Sequence, residues 1–438
     1  MRRTIRNMLP FLCLAALLTV PACIDESLRE GSDRNSQTDD DKDDDIDNPG
    51  VVRVVKDPET ALATANCIMV RPGERVSIPI AKAFAVWDRY KNLLGKADMT
   101  GDMTPTLVWS IPDEMIDWDG LEIEDYDDVN MAVITFKTTP GMKGNAVVAL
   151  TVGGTIRWSW HIWVTDYDPG KEVQPEALAI GPNDVTNGRV YRYINGAGDN
   201  VFMDRNLGAN EADKTKGKET YGMYYQWGRK DPLFESANPN WIPEGPWEKP
   251  DTYAKTNLAY AIAHPDELIV REPASGDWYS YNDGVHDTDI WGSFSRKKTV
   301  WDPCPEGWKV PLYGLPRITY KNPSLSERDY SDPEKAPWHI TEPGNKFIRD
   351  VTYIGFESPA LGFWPATGQI DPLTGNKFSP GQLFSWSGSE GMTNFFDYSA
   401  PLRGDVYLQN DDGVWYNNGW SRATGMGVRC VRTTKGTN

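Results

Sequence analysis

In the stretch WDPCPEGWKVP, residues 301–311, two prolines flank a lone cysteine, Cys304, and two tryptophans stand seven residues apart. A cysteine so placed serves as a nucleophile, a metal ligand or half of a disulfide, and each role needs different company. A nucleophile needs a base within reach, yet the sequence contains no HExxH, GxSxG, CxxC or phosphate-cradling glycine loop. The four histidines, 161, 264, 286 and 339, are spaced too widely for a compact zinc site. With 63 Asp and Glu residues, chance pairs are so common that no glycosidase-type couple stands out. No catalytic residue, metal or cofactor is assigned, and the expectation is that the protein is not an enzyme.

What the residues favour is binding. The stretches DWYSYNDGVHD (277–287) and YLQNDDGVWYNNGW (407–420) mix aromatic rings with amide and carboxylate groups. Aromatic faces suit the apolar faces of sugars, and Asn or Asp beside them suits sugar hydroxyls. The candidate ligand-binding residues are Trp278, Tyr281, Asn282 and Asp283 in the first stretch, with Trp415, Tyr416, Asn417 and Trp420 in the second. The competing reading is that these rings fill a core poor in regular structure. Asp283 with Asp287, or Asp411 with Asp412, offers calcium ligands, but the spacing is not diagnostic.

The elements that must position these residues follow from composition. Among 438 residues are 39 Gly and 32 Pro, which point to many turns and short elements rather than long helices. A net charge of −18 argues against nucleic acid as a partner. Arg2, Arg3 and Arg6 precede the apolar run MLPFLCLAALLTV, which is too short for an ordinary membrane span. VPAC then sets Cys23 in a stretch that resembles a bacterial lipoprotein lipobox, so residues 1–22 read as a signal peptide and Cys23 as the lipid-modified anchor. Between Cys23 and Pro49 lie eleven acidic and three basic residues, and 23–50 is expected to be a self-repelling, extended tether.

From 51 to 170 the sequence predicts an all-β, sandwich-like domain. The runs NMAVITFKT and NAVVALTV read as strands, and Gly153-Gly154 reads as a two-residue hairpin turn. In TIRWSWHIWVTD, alternation puts Ile156, Trp158, Trp160, Ile162 and Val164 on a core face. Arg157, Ser159, His161, Trp163 and Thr165 take a mixed face suited to packing on a neighbouring domain. His161 reads as a half-buried structural histidine. A helix is expected in IAKAFAVWDRYKNLL, with Ile80, Phe84, Trp87 and Leu94 at helical spacing. Residues 171–184 form a linker, and 185–438 a loop-rich α+β part holding twelve of the 18 tryptophans between 227 and 420, so the chain as a whole is mainly β.

TANCIMVRPGERVSIPI, GNAVVALTVGGTIRWSWHIWVTDYDP, FMDRNLGA, GMYYQWGRKDPLF, DPCPEGWKVP, GFWPATG and GVRCV occur in this order. Together they resemble a recurrent module of surface lipoproteins and fimbrium tip subunits of gut Bacteroidales. The part after residue 185 is similar to the paralogous surface domain first catalogued in Fibrobacter, a relative of the C-type-lectin-like fold. The resemblance implies a palmitoylated lipoprotein at the cell outer membrane, with other fimbrial subunits and a glycan or protein ligand as partners. Its role would be cell adhesion and biofilm formation at a fimbrium tip. It also implies trimming after an arginine, for which Arg53 in VVRVVK is the matching position. Only the short polar VRTTKGTN follows Cys430, so the subunit is expected to accept a donated strand rather than supply one.

Two alternatives stand beside this reading. One is a free-standing surface lipoprotein that captures polysaccharide, since only about 120 residues precede the module. The other is an enzyme on the scaffold of the formylglycine-generating enzymes, whose reactive cysteine pair is not found here. Of the five cysteines, Cys13 leaves with the signal, Cys23 carries lipid and Cys67 sits in a strand-like apolar run as a buried thiol. Export favours oxidation, so Cys304 is expected to pair with Cys430, closing a loop of about 125 residues.

Overall fold

Alternating side chains build the first half of the chain into two sheets. The computed structural model describes residues 51–169, 190–195, 198–233, 257–269, 278, 290–292, 297–311, 346–350, 353–358, 362–371, 377–378, 381, 383–390, 398–404, 414–416 and 420–433. The expectations for the signal peptide, Cys23, the tether and the 171–184 linker lie outside these residues. The early strands are β1 (Cys67–Val70), β2 (Arg75–Pro79), β3 (Met103–Ile111), β4 (Glu122–Glu124), β5 (Val133–Lys137), β6 (Gly144–Val152) and β7 (Thr155–Val164). One sheet has the order β1-β7-β6-β3 and the other β2-β5-β4. β1 runs parallel to β7, and the remaining pairs of both sheets are antiparallel.

Gly153 and Gly154 join β6 to β7 with φ of 59° and 80°, the left-handed conformations that a two-residue hairpin turn requires. The register sets Ala146, Val148 and Leu150 opposite Ile162, Trp160 and Trp158, all buried on one face. A bulge between Leu150 and Thr151 breaks the alternation near the hairpin, so Ile156 is only half-buried rather than a core residue. In the second sheet Val76 and Ile78 pair with Phe136 and Ile134, and all four are buried.

Two helices meet end to end where a single one was expected. α1 (Pro58–Ala63) starts at Asp57, whose carboxylate accepts from the Thr60 amide, with Pro58 at the first helical position. α2 (Ala81–Arg89) buries Ala83, Phe84, Val86 and Trp87 and stops at Tyr90, and α3 (Lys91–Leu94) adds one further turn. Among the described residues no helix is long and apolar enough to cross a membrane.

The second half is mainly β as well, in shorter pieces. β8 (Val190–Asn195) and β9 (Gly198–Met203) form a hairpin, against which lie Val431–Arg432 and then Trp308–Lys309. A mixed sheet of eight strands among the described residues includes Tyr224–Gln226, Leu383–Glu390, Tyr398–Gly404 and Gly425–Gly427. α4 (Leu258–Ala263) is capped by the Asn257 side chain. Among the described residues none of the sheets closes on itself.

Cys304 and Cys430 are joined, with an S–S distance of 2.09 Å and Cα atoms 6.0 Å apart. Cys67 is a buried free thiol, as its apolar neighbours suggest. Asp47–Asn438 forms one compact unit, and the parts on either side of residues 171–184 share one core. Trp158 of β7 packs on Trp301, ring centroids 5.4 Å apart. The Asn66 side chain donates to the carbonyl oxygens of Val300 and Asp302 at 2.7 and 2.9 Å.

Candidate functional site

The mixed face of β7 does pack on the second half, and the seam between them is polar and buried. His161 lies there fully buried, not half-buried. Asn145 on β6 donates through Nδ2 to the Gly208 carbonyl oxygen at 2.9 Å, which turns its Oδ1 towards His161 Nε2, also at 2.9 Å. Nε2 therefore carries the proton, and Nδ1 accepts from the Tyr225 hydroxyl at 3.1 Å. Burial pushes the His161 pKa down to about 3, so the ring is neutral and both nitrogens are engaged. This histidine fixes the seam and has no free nitrogen for catalysis.

Two residues along β7, at Ser159, the seam carries charge. Lys230 donates through Nζ to both Asp231 oxygens, at 2.7 and 2.8 Å, and to the Ser159 carbonyl oxygen at 3.0 Å. Ser159 donates its hydroxyl to Asp231 at 2.6 Å. The Lys230 ammonium sits 4.5 Å from the centroid of the Trp158 ring. Burial holds its pKa down at about 8 against the opposing pull of Asp231. Lys82, on α2 beneath the same Trp158, is equally enclosed, with its Nζ given to the Thr64 carbonyl oxygen and its pKa held well below the usual lysine range by burial.

Arg229 completes the group. It is 3% exposed. Its Nη1 donates to Gln226 Oε1 at 2.9 Å and to the Glu267 carbonyl oxygen, and its Nη2 donates to the His264 carbonyl oxygen at 2.9 Å. Its Nε is buried without a partner. Arg229, Lys230 and Asp231 line a pocket whose apolar walls come from α4 (Leu258, Ala261, Ile262), Trp278 and Trp301. The space left between these walls is narrow, with room for about one water molecule.

The loop around Cys304 is held by a buried carboxylate, Asp302. Asp302 accepts from the Cys304 and Val310 amides at 2.8 and 2.9 Å and from Lys298 Nζ at 2.8 Å. Lys298 also donates to the carbonyl oxygens of Cys304 and Trp308, at 2.7 and 2.8 Å. Cys304 is thus neither a free nucleophile nor a metal ligand.

The candidate ligand residues fall out unevenly. Trp278 is 2% exposed and gives its indole N–H to the Trp227 carbonyl oxygen at 2.7 Å, so it walls a pocket rather than forming the exposed platform expected. Every tryptophan between 227 and 420 whose side chain is described is buried. Trp415 and Tyr416 lie in the strand Val414–Tyr416, and Trp420 begins the strand Trp420–Ser421, but only their backbones are described. Tyr281, Asn282, Asp283 and Asn417 lie outside the described residues, as do Asp287, Asp411 and Asp412. Among the described residues no group of three His, Cys, Asp or Glu is placed to hold a metal.

Arg53 is half-buried, donating through Nη2 to the carbonyl oxygens of Thr100 and Gly101 at 3.3 and 3.1 Å. Its neighbour Val52 bonds Asp127 and Val129 through the backbone.

Set against protein-family models, curated proteins and solved structures, the chain matches none.

Arg229, Lys230 and Asp231 were not singled out in the sequence. The signal available was their setting: three consecutive charges inside the aromatic run MYYQWGRKDPLF, where a solvated charge run has apolar neighbours on both sides.

Proposed function

We propose that the protein is a cell-surface adhesin of the outer membrane, anchored through Cys23 on its acidic tether and acting at a fimbrium tip. Residues 51–170 serve as a β-sandwich-like support and 185–438 as a C-type-lectin-like head that binds a glycan or protein. It works without a cofactor and is not an enzyme. The observation that carries this reading is the Cys304–Cys430 bond, which closes a separation of 126 residues within the second half of the chain. A disulfide-closed, loop-rich head suits an exported binding protein, and it removes the one cysteine that resembled a nucleophile. The order of sequence motifs described above supplies the fimbrial context.

Free-standing capture of polysaccharide is the second reading. The pinned Arg53 favours it, because a protease would have to displace a guanidinium bonded to two carbonyl oxygens. Shearing fimbriae from cells and blotting both fractions separates the two. Co-purification with the sheared fibres is expected of a tip subunit, and complete retention in the outer membrane favours the free lipoprotein. A glycan array probed with the purified full chain tests the binding function that both share.

A further inference from the structure

We propose that the ridge formed by residues 113–131 docks a lysine- and arginine-rich segment of a partner protein, held by its carboxylates and anchored on Trp118. In the stretch DEMIDWDGLEIEDYDD, residues 113–128, nine of sixteen residues are acidic and none is basic. Glu124 pairs with Arg75, and Asp128 with Lys56. The other seven, among them Asp117, Asp119, Glu122 and Asp125, are exposed and make no ion pair among the described residues.

Acidity alone would mark only a solvated loop, and the apolar side chains on the same ridge do not fit that reading. Among the described residues the large apolar side chains that stand exposed are Val52, Val54, Trp118 and Met131. Trp118 and Met131 belong to the ridge, and the segment of Val52 and Val54 is laced onto it. The Val52 amide donates to the Asp127 carbonyl oxygen at 2.7 Å, and the Val129 amide to the Val52 carbonyl oxygen at 3.0 Å. Asn130 Nδ2 donates to the Val54 carbonyl oxygen at 3.0 Å. Trp118 is 64% exposed, whereas every other tryptophan whose side chain is described is buried or half-buried. Apolar residues scattered singly over a surface need no explanation, but their confinement to one charged strip marks a contact surface.

Charge complementarity selects the occupant. A second copy of a chain with net charge −18, an anionic membrane face and the acidic stretch before Pro49 would each be repelled. The unpaired carboxylates are spread from Asp113 to Asp127, so a single small cation leaves most of them unmatched and a polycation does not. An exposed indole adds a face on which a lysine ammonium or an arginine guanidinium can lie, with Asp117 and Asp119 on either side in sequence. Strand addition is not the mode of contact. β4 pairs only with β5 among the described residues, but it is three residues long and carries Glu122 and Glu124, features that keep an edge from being extended. Side chains rather than backbone groups make this surface.

Fluorescence anisotropy of a labelled peptide of alternating lysine and serine, titrated with the full chain, tests this beside the same peptide with glutamate for lysine. The lysine peptide is expected to bind saturably, and more weakly as salt is raised, whereas the glutamate peptide should not bind. No saturable binding of the lysine peptide, or equal binding of the two, overturns the proposal. Asp117→Asn combined with Asp119→Asn, Glu122→Gln and Asp125→Asn should weaken the lysine peptide about tenfold or more. The control combines Asp88→Asn, Glu219→Gln, Asp266→Asn and Glu306→Gln, which removes as much charge from exposed positions elsewhere. It should change affinity by less than about twofold, and equal losses in the two variants would reduce the binding to net charge and overturn the site. Trp118→Ala, at an exposed position, should weaken the peptide about threefold to fivefold. Undiminished affinity in that variant overturns the anchor. Sedimentation of the chain alone covers the remaining occupant: a dimer that Trp118→Ala dissociates assigns the ridge to a second copy and overturns the basic partner.

Discussion

In the sheet of β1, β3, β6 and β7, backbone groups bond one another along strands of nine and ten residues, whereas in the second half buried side chains take up many of the carbonyl oxygens. Gln226 spans from Ile269 to Ala423, donating to both carbonyl oxygens at 2.7 and 2.6 Å. Trp227 donates to Ser387, Trp386 to Tyr225 and Trp291 to Trp301, each from its indole N–H to a carbonyl oxygen at 2.7–3.1 Å. Arg429 reaches the Phe363 carbonyl oxygen while lying over the Trp364 ring. Short strands leave more backbone groups to satisfy than a ladder can, and each such group needs a partner once buried. A tryptophan supplies apolar volume and one well-directed donor, which suits a region built from loops. The abundance that looked like stacking platforms is largely the core's own hydrogen-bonding stock.

That contrast predicts where the molecule breaks. Reduction, or Cys304→Ser with Cys430→Ser, should cost about 4–5 kcal/mol on the chain-entropy account for a closure of 126 residues. The loss is expected to concentrate in one half: hydrogen exchange at β9 and Val431–Arg432 should accelerate more than at the centre of β6. Uniform acceleration would show that the two halves unfold as one and that the contrast is only descriptive. Next in size, Asp302→Ala strands the Lys298 ammonium and two amides, at about 3–5 kcal/mol by urea denaturation. Its counterpart in the first half, the exposed Arg75–Glu124 pair, should yield under about 1 kcal/mol on Arg75→Ala. Similar costs for the two would remove the distinction.

The long strands were legible because period-two alternation and a Gly-Gly turn are local signals. The strands β6 and β7, their turn and the packing of the mixed face all follow from residues a few positions apart. The staple was legible by counting cysteines. The pocket was not, because Ser159 meets Lys230 across 71 residues of sequence and no periodicity marks such a meeting. Arg229, Lys230 and Asp231 look like a solvated turn until the walls from α4 and Trp278 are in place. His161 was readable as structural, but its complete burial depends on Tyr225 and Asn145, which only the fold brings to it.

The seam joining the halves gives a pH test. His161 has a pKa near 3 when folded, against an ordinary 6.5. As pH falls through 6.5 the unfolded chain takes up a proton that the folded chain refuses, so stability declines from there and continues to decline towards pH 3. At pH 5 this residue alone should cost about 2 kcal/mol relative to pH 8. His161→Gln, which keeps a polar group between Asn145 and Tyr225 but cannot protonate, should flatten that part of the profile. An unchanged acid slope in the variant would place the titrating group elsewhere.

The smallest effect isolates backbone conformation in the regular half. Gly154 has φ of 80°, and a Cβ added there meets nothing within 4 Å, so Gly154→Ala is penalised by conformation alone, at about 1 kcal/mol. Asn tolerates the left-handed region better than Ala, so Gly154→Asn should recover at least half of that loss in urea denaturation. Because the hairpin lies far along the chain from Cys304 and Cys430, the same two substitutions made in the reduced protein should give the same difference. A difference that shrinks on reduction would mean that the staple, rather than the β6–β7 ladder, holds this turn in place.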